Sequence, residues 1–449
     1  MTVLYRNIES SGGTTVLRDR EFDAKNESHP VASIQVINTL EQFASLRESW
    51  DTLVSQVPST IYQSFDWQYY WWKHFGNECH RTLNILVIRI DDVVSGVIPL
   101  FLEQKTILGY GAQTLLRFLG CDVRSSHSRG LFDRYCPSDF LDGIVKPEDA
   151  QRVVREFLNY LQNNYELWDE VELDNIPDES VFKRELLSLL DHEKFPYAAS
   201  VADVCPRLKT PTSMKEYLGS LSSGVRRRFS QARKLENGTG VSTLETISTY
   251  PEIKNSFNEL MGLHQSRWNK LGYPGVFSDS RFVNFQEDVI RAFHNQGWLW
   301  FKTVRMDGNC TAARLGFNYK DIMYDYLSGF DDQQSSSKYR PGLALLLSMI
   351  EDASQSGCES IEFLRGNEQY KYELTSVQTT IWHIRLLNPT AAKSLKSVLA
   401  KFVNVYEWIR YRLFLESSTL QVQYRQSHSP LFLVRYIQFR LKRIFKTKG

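Results

Sequence analysis

The 449-residue chain is poor in the features that assign a protein class most quickly. Its six cysteines (Cys79, Cys121, Cys136, Cys205, Cys310, Cys358) are scattered, with no Cys-x-x-Cys pair and no histidine at ligand spacing. That excludes a disulfide scaffold, argues against structural zinc and fits a reduced compartment. Charge of one sign is missing as well. Lys and Arg number 53 against 52 Asp and Glu, a formal net charge of +1, so no global field draws the chain to nucleic acid or to acidic substrates. There is no run of 18 apolar residues, hence no candidate membrane span. The opening MTVLYRNIESSGG carries charge where a secretion signal needs an apolar stretch, and the expected location is the cytoplasm. What is present is 42% hydrophobic residues, enough core for two or three domains at this length.

Apolar periodicity divides the chain. Residues 1–32 are a polar leader. A strand pattern at 31–38 and a helix pattern at 40–57 follow, and residues 65–75 carry aromatics on several faces, so that segment must be packed on more than one side. Residues 83–90 and 93–102 alternate around Asp91-Asp92 as a hairpin. A helix opens at Pro147, where the missing N–H costs nothing. A strand at 170–173, a helix at 180–190 and a strand at 198–204 ending before Pro206 complete this half. In the second half, helices at 253–270 and 282–295 precede strands at 298–306 and 311–319 around Asp307-Gly308, then a strand at 323–328. The two hairpins match in length, turn and alternation, and each follows a Trp-bearing segment. This predicts an α/β fold of two tandem modules, 33–205 and 206–388, followed by a helical extension at 389–449.

The chemistry concentrates late in the chain. Asp325-Tyr-Leu-Ser-Gly-Phe-Asp331 reads as strand and turn, Tyr339-Arg-Pro-Gly-Leu-Ala344 opens an apolar helix, and Ile361-Glu-Phe-Leu-Arg365 is a second strand running into a polar loop. A diphosphate needs several N–H groups converging on it, and a helix N-terminus supplies them with a favourable dipole. Gly342 permits close backbone approach, Ala344 is small, Pro341 suits a first turn, and Arg340 and Lys338 add charge. The same Pro-Gly start also describes an ordinary helix cap. Loops at the C-terminal ends of such strands form the usual ligand edge. There Glu362 and Glu368 are candidate general bases for an amine, while Lys371, Arg365 and Tyr370 can pair with substrate or cofactor charge; the alternative is salt-bridged surface groups. His264, between apolar neighbours on a helix, reads as structural.

Several segments together resemble a known family. Ser64-Phe-Asp-Trp67, Gly96-Val-Ile-Pro-Leu100, Trp168-Asp-Glu-Val-Glu-Leu173, Arg226-Arg-Arg-Phe-Ser-Gln-Ala-Arg-Lys-Leu235, Leu263-His-Gln-Ser-Arg-Trp268, Ser328-Gly-Phe-Asp331, Pro341-Gly342 and Glu362-Phe-Leu-Arg-Gly-Asn-Glu-Gln-Tyr-Lys371 are similar in order and spacing to the GNAT-type acyltransferases of the cellulose-biosynthesis CelD and BioF2-like group, relatives of the FemAB aminoacyltransferases. The likeness spans about residues 35–385. It implies tandem GNAT-like modules of mixed twisted sheet flanked by helices, the first degenerate and the second taking acetyl-CoA or another acyl-CoA, with no metal. It implies transfer to an amine or hydroxyl on an amino-sugar, lipid-linked sugar or other envelope or polysaccharide precursor. On this basis Tyr339, Arg340, Gly342, Leu343 and Ala344, with Tyr326 and Leu327 of the splayed strand, would hold the cofactor. Trp268, Arg365 and Tyr370 would meet the acceptor, and Glu362, Glu368 and Lys371 would carry the catalysis. The family's pyrophosphate loop is Arg/Gln-x-x-Gly-x-Gly/Ala. Aligned on Gly342, the basic position falls on Tyr339, with Arg340 one place late. That departure leaves open an aminoacyl donor carried on tRNA, or a non-catalytic scaffold in polysaccharide biosynthesis.

Two basic segments remain. Arg226, Arg227, Arg228, Arg233 and Lys234 can grip a phosphate-bearing ligand or simply solvate a helix face. Residues 431–448 carry six Lys and Arg and no acid among aromatic and aliphatic residues. This pattern suits either peripheral contact with the anionic inner face of a membrane or a docked terminal helix.

Overall fold

The computed structural model describes residues 32–77, 80–107, 110–124, 134–236, 242–270, 275–331, 340–366 and 368–390. The leader, the extension from 391 onward with its basic tail, and Lys338 and Tyr339 lie outside them.

The first half runs β1 (Ala32–Ile37), α1 (Leu40–Ser45), α2 (Arg47–Gln56), α3 (Phe65–Phe75), β2 (Arg81–Leu83), β3 (Ile85–Ile90), β4 (Val93–Ile98), β5 (Leu100–Ile107), β6 (Tyr110–Phe118), β7 (Val123–Arg124), β8 (Arg134–Tyr135), β9 (Ile144–Val145), α4 (Ala150–Asn163), β10 (Glu170–Pro177), α5 (Val181–Glu193) and β11 (Tyr197–Lys209). The second runs α6 (Met214–Ser220), α7 (Ser223–Glu236), β12 (Ser242–Thr246), α8 (Tyr250–Lys270), α9 (Ser280–Asn295), β13 (Leu299–Met306), β14 (Asn309–Tyr319), β15 (Ile322–Phe330), α10 (Pro341–Gln355), β16 (Ser360–Glu362), α11 (Gln369–Leu374) and β17 (Gln378–Leu387). Both halves follow the order strand, helices, a run of antiparallel strands, helix, strand, helix, strand, the run being β2–β9 in the first half and β13–β15 in the second.

The turns explain the repeated hairpins. Asp91 and Asp92, Asp307 and Gly308, and Lys320 and Asp321 all have positive φ. This is the two-residue turn whose twist matches that of the flanking strands. The structure corrects two boundaries. The expected strand at 93–102 is split at Pro99: β4 joins a four-stranded sheet β1-β3-β4-β9, and β5 leaves it for another. The strand expected to stop before Pro206 continues to Lys209. Pro206 stands where the β17 ladder of β11 ends and its β16 ladder begins, at the interruption where a missing donor is tolerated.

The halves are joined by exchanged strands. An eleven-stranded sheet runs β12-β13-β14-β15-β16-β11-β17-β10-β6-β5-β2. Thus β11 closes the second half beside β16, and β17 returns to close the first half beside β10. Packing reinforces the exchange. The Trp67 ring on α3 lies within 5.1–6.2 Å of Phe285, Phe293, Phe317 and Tyr326 of the second half. Lys320, in the β14–β15 turn, donates to the Val54 and Val57 carbonyls at the end of α2 and to Ser59. Those are carbonyls a helix end leaves unpaired. On the second-half sheet, α10 and α7 cover one face with Val225, Phe229, Leu346 and Met349, while α8 and the first half cover the other. Among the described residues no helix is long and apolar enough to cross a membrane.

Candidate active site

The site begins where β15 and β16 part. Their parallel ladder pairs Ile322 to Tyr324 with Ser360 to Glu362 and then stops. Beyond it β15 is bulged against β14: Leu315 faces Leu327 and Gly316 faces Asp325, so Tyr326 is the extra residue. A bulge re-aims a strand and strengthens its twist, which carries β15 away from β16. Glycines allow the crowding this requires. A Cβ on Gly316 would lie 2.4 Å from the Tyr324 carbonyl oxygen, and one on Gly329 would lie 2.8 Å from that of Leu260 on α8.

On the α10 face of the fork, Arg340 takes a left-handed conformation as N-cap, and Pro341 starts the helix. Leu343 and Ala344 both donate to the Arg340 carbonyl at 2.9 and 3.2 Å. Among the described residues no acceptor engages the Gly342 N–H, and the first turn carries no acid. The chain therefore fits an anion there through one backbone donor, the helix dipole and the exposed Arg340. The corresponding start in the first half, Pro147-Glu148-Asp149 before α4, places two carboxylates in the first turn and would repel phosphate. Behind the α10 terminus lies a buried network. Arg314 donates to Asp325 and, at 3.5 Å, to the Gly342 carbonyl, and it bonds the Tyr370 hydroxyl. Burial opposes the charge on Arg314, but Asp325 outweighs it and holds the guanidinium ionised.

On the opposite face, Tyr324 and Glu362 look toward the first half. Glu362 is 4% exposed. Its Oε1 lies 3.3 Å from Arg207 Nε and 3.5 Å from the Thr379 hydroxyl, and its Oε2 has no hydrogen-bond partner among the described residues. Burial pushes its carboxyl up to about 8, against the pull of Arg207. It lines a cavity of about 160 Å³ that reaches across to Asp142, Glu179 and Ser180 of the first half.

The other expected residues fall elsewhere. Glu368 is exposed and paired with Lys371 at 3.0 Å. Lys371 is buried and donates to the carbonyls of Leu364 (3.3 Å) and Arg365 (2.7 Å). It thereby holds a loop in which Leu364 and Gly366 have positive φ, so its ammonium is a strut. Arg365 reaches out of the site into the first half, to Asp139, the Ser138 carbonyl (3.0 Å) and Asn175 (3.3 Å). Tyr370 belongs to the Arg314 network. The Tyr326 hydroxyl accepts from Gln286 at 2.8 Å and donates to the Pro137 carbonyl at 3.2 Å, and Leu327 packs in the main core. Trp268 is exposed on α8 and donates to His264 at 3.0 Å; burial lowers that imidazole to about 4, so it stays neutral. Of the basic patch on α7, Arg226 caps the Gly219 and Leu221 carbonyls, while Arg228 and Arg233 pair with Glu373 and Glu351. Three of its five cations are thus committed within the chain. The sequence reading missed Asp142, Arg207, Arg314 and Asp325. Arg207 is brought to Glu362 by the pairing of β11 with β16, Asp142 lines the same cavity from the first half, and no spacing announces either.

A parted parallel strand pair with a helix N-terminus beside the fork matches a known fold. Residues 223–372 match the family model for the acetyltransferase (GNAT) domain. The fold of this segment is GNAT-like. The chain as a whole is similar to solved structures. FemX is 11% identical with a TM-score of 0.54, over 81% of this chain and 100% of that one. A conserved protein of unknown function from Bacteroides thetaiotaomicron is 11% identical with a TM-score of 0.48, over 79% and 100%. A tandem GNAT protein from the clavulanic acid biosynthesis pathway is 9% identical with a TM-score of 0.41, over 78% and 98%. At such identities the FemX likeness concerns the fold alone. No curated protein matches the chain in sequence. Among the described residues no cluster of His, Cys, Asp and Glu could hold a metal ion.

Proposed function

We propose that the chain is an acyl-CoA-dependent N-acyltransferase of the cytoplasm that acts on an amino-sugar or another envelope or polysaccharide precursor. One observation carries this reading: the GNAT fork and the α10 terminus lie on one face of the last β15–β16 rung, and the buried carboxyl of Glu362 lies on the other. A donor entering along the fork would bring its thioester toward an acceptor approached from the Glu362 side.

In that reaction the acceptor nitrogen attacks the thioester carbonyl carbon. The C–N bond forms, the C–S bond breaks, and the CoA thiolate leaves and takes up a proton. Glu362 removes the proton from nitrogen, a task suited to a carboxyl whose affinity for protons lies near the working pH. Backbone N–H groups of β15 beside the Tyr326 bulge would meet the developing oxyanion. Arg340 and the Gly342 N–H would meet the donor's phosphates. Calorimetry with CoA and acetyl-CoA tests the reading: heat with both supports it, and no heat with either at near-saturating ligand removes it. Acceptor modification that needs charged tRNA and is destroyed by ribonuclease would replace it with aminoacyl transfer.

The basic segment 431–448 would place this activity at an anionic membrane surface, with each cation contributing on the order of 1 kcal/mol before screening. Flotation of the full chain with anionic and with neutral vesicles tests that part. Equal recovery from both removes it.

A further inference from the structure

The cavity at the strand exchange is not explained by the donor side of the reaction. It is walled by both halves, and its charged lining is Asp142 and Glu179 from the first half, Arg207 on β11 and Glu362 on β16. Arg207 already faces two of the three carboxylates, Glu362 at 3.3 Å and Glu179 at 3.6 Å. What remains is Asp142, whose carboxyl has no cationic hydrogen-bond partner among the described residues, the nearby Lys183 being bonded to Asp178. Asp142 is 9% exposed, and its Oδ1 accepts from the Ser180 hydroxyl at 2.8 Å and the Gly143 N–H at 2.9 Å. Those two donors fix the carboxylate from one side.

We infer that this cavity is the acceptor subsite, that it takes a small hydroxylated primary amine about one sugar ring in size, and that Asp142 and Glu362 serve its one nitrogen in turn, Asp142 as ionic partner of the ammonium form and Glu362 as the base that removes its proton. The inference rests on the N-acyltransferase reading above. Three features select that chemistry. A carboxyl without a cationic partner in a partly desolvated site favours a cation and disfavours a phosphate or carboxylate. The hydroxyls of Ser59, Ser180 and Thr379 can exchange hydrogen bonds with a polyol. The rings of Phe140 and Phe182 give the apolar wall that a sugar ring's C–H face needs. The volume, about 160 Å³, resembles the cavity of about 150 Å³ known to admit a benzene ring. The place is right as well, because the lining includes Tyr324 and Glu362, the rung at which the donor fork opens. Burial keeps the Asp142 carboxyl near 7, so an arriving ammonium would draw it into the ionised form.

Glucosamine is the probe, with glucose as the uncharged control, each titrated by calorimetry against the full chain and against Asp142→Asn. The expected result is glucosamine binding that glucose does not reproduce, weakened roughly tenfold or more in D142N, as the loss of a charge-assisted hydrogen bond requires. Binding of CoA to D142N should equal that of the wild type. Because D142N could unfold, Pro58→Trp is a second variant. Pro58 is exposed at the cavity rim, so this change obstructs entry without touching the core. It should leave CoA binding and the melting curve intact and abolish glucosamine binding. Absence of glucosamine binding, equal binding of glucose, or unchanged affinity in folded D142N and P58W overturns the subsite. CoA binding that persists in such a case leaves the donor reading standing, whereas loss of both removes the two together.

Discussion

Tyr324 and Glu362 are the last partners of the parallel β15–β16 ladder, and both side chains point to the face covered by the other half of the molecule. One rung farther the strands have parted. Strand fork, buried carboxyl and the cavity between the halves therefore meet at a single register position.

Glu362→Gln should change both stability and rate with pH. The native carboxyl, raised to about 8, holds a proton through the interval above its ordinary value of 4.5, where the unfolded chain has released it. Its contribution is present in full below that ordinary value and is lost as pH rises through 8. A tenfold change in proton affinity is worth about 1.4 kcal/mol, so the variant should be more stable than wild type by a few kcal/mol above pH 8, with no gain near pH 4. Denaturant midpoints across pH check this. In the same variant kcat/KM should lose its rise toward pH 8 and fall by roughly 100-fold or more.

Substitutions at Gly342 should separate sterics from charge. A Cβ there would meet the Phe330 ring at 3.5 Å, an ordinary contact, so Gly342→Ala should keep wild-type CoA affinity and stability. Gly342→Glu puts a carboxylate on the first turn of α10, where the dipole stabilises the helix by up to about 1 kcal/mol. The protein should melt no lower and yet bind no CoA. Calorimetry decides, and full affinity in the glutamate variant would move the phosphate site elsewhere.

Arg365 should behave as a brace between the halves. Its guanidinium is fixed by Asp139, Ser138 and Asn175, so Arg365→Ala leaves the half-buried Asp139 carboxylate without its partner. The expected cost is about 1.5–3 kcal/mol in urea denaturation, with CoA affinity unchanged in the folded fraction. Normal stability with a raised acceptor KM would instead return Arg365 to substrate contact.

The Arg314–Asp325 pair should show strong coupling. Arg314→Met alone strands Asp325 and should cost about 3–5 kcal/mol, whereas the double variant with Asp325→Leu should recover most of that loss. Additive losses in the double-mutant cycle would mean that the network contributes little beyond its volume.

Dihedral preference and hydrophobic periodicity act over a few residues, and they suffice for the local pieces of this chain. Two-residue turns at Asp91-Asp92 and Asp307-Gly308, alternating strands, and a helix opened by Pro341-Gly342 all follow from them. The motif order was enough to imply the GNAT fold. Glu362 was legible as a candidate base because it ends a strand at the ligand edge. Its burial was not legible, nor were its neighbours. Arg207 lies far from it along the chain and meets it because β11 crosses to pair with β16, while Asp142 lines the same cavity from the first half. Lys371 and Arg365, equally polar and on the same loop after Glu362, instead reach local carbonyls and Asp139 of the first half. Residue type and local pattern set what a side chain can do chemically. Desolvation and long-range partners, which only the tertiary structure supplies, decide which of those things it does.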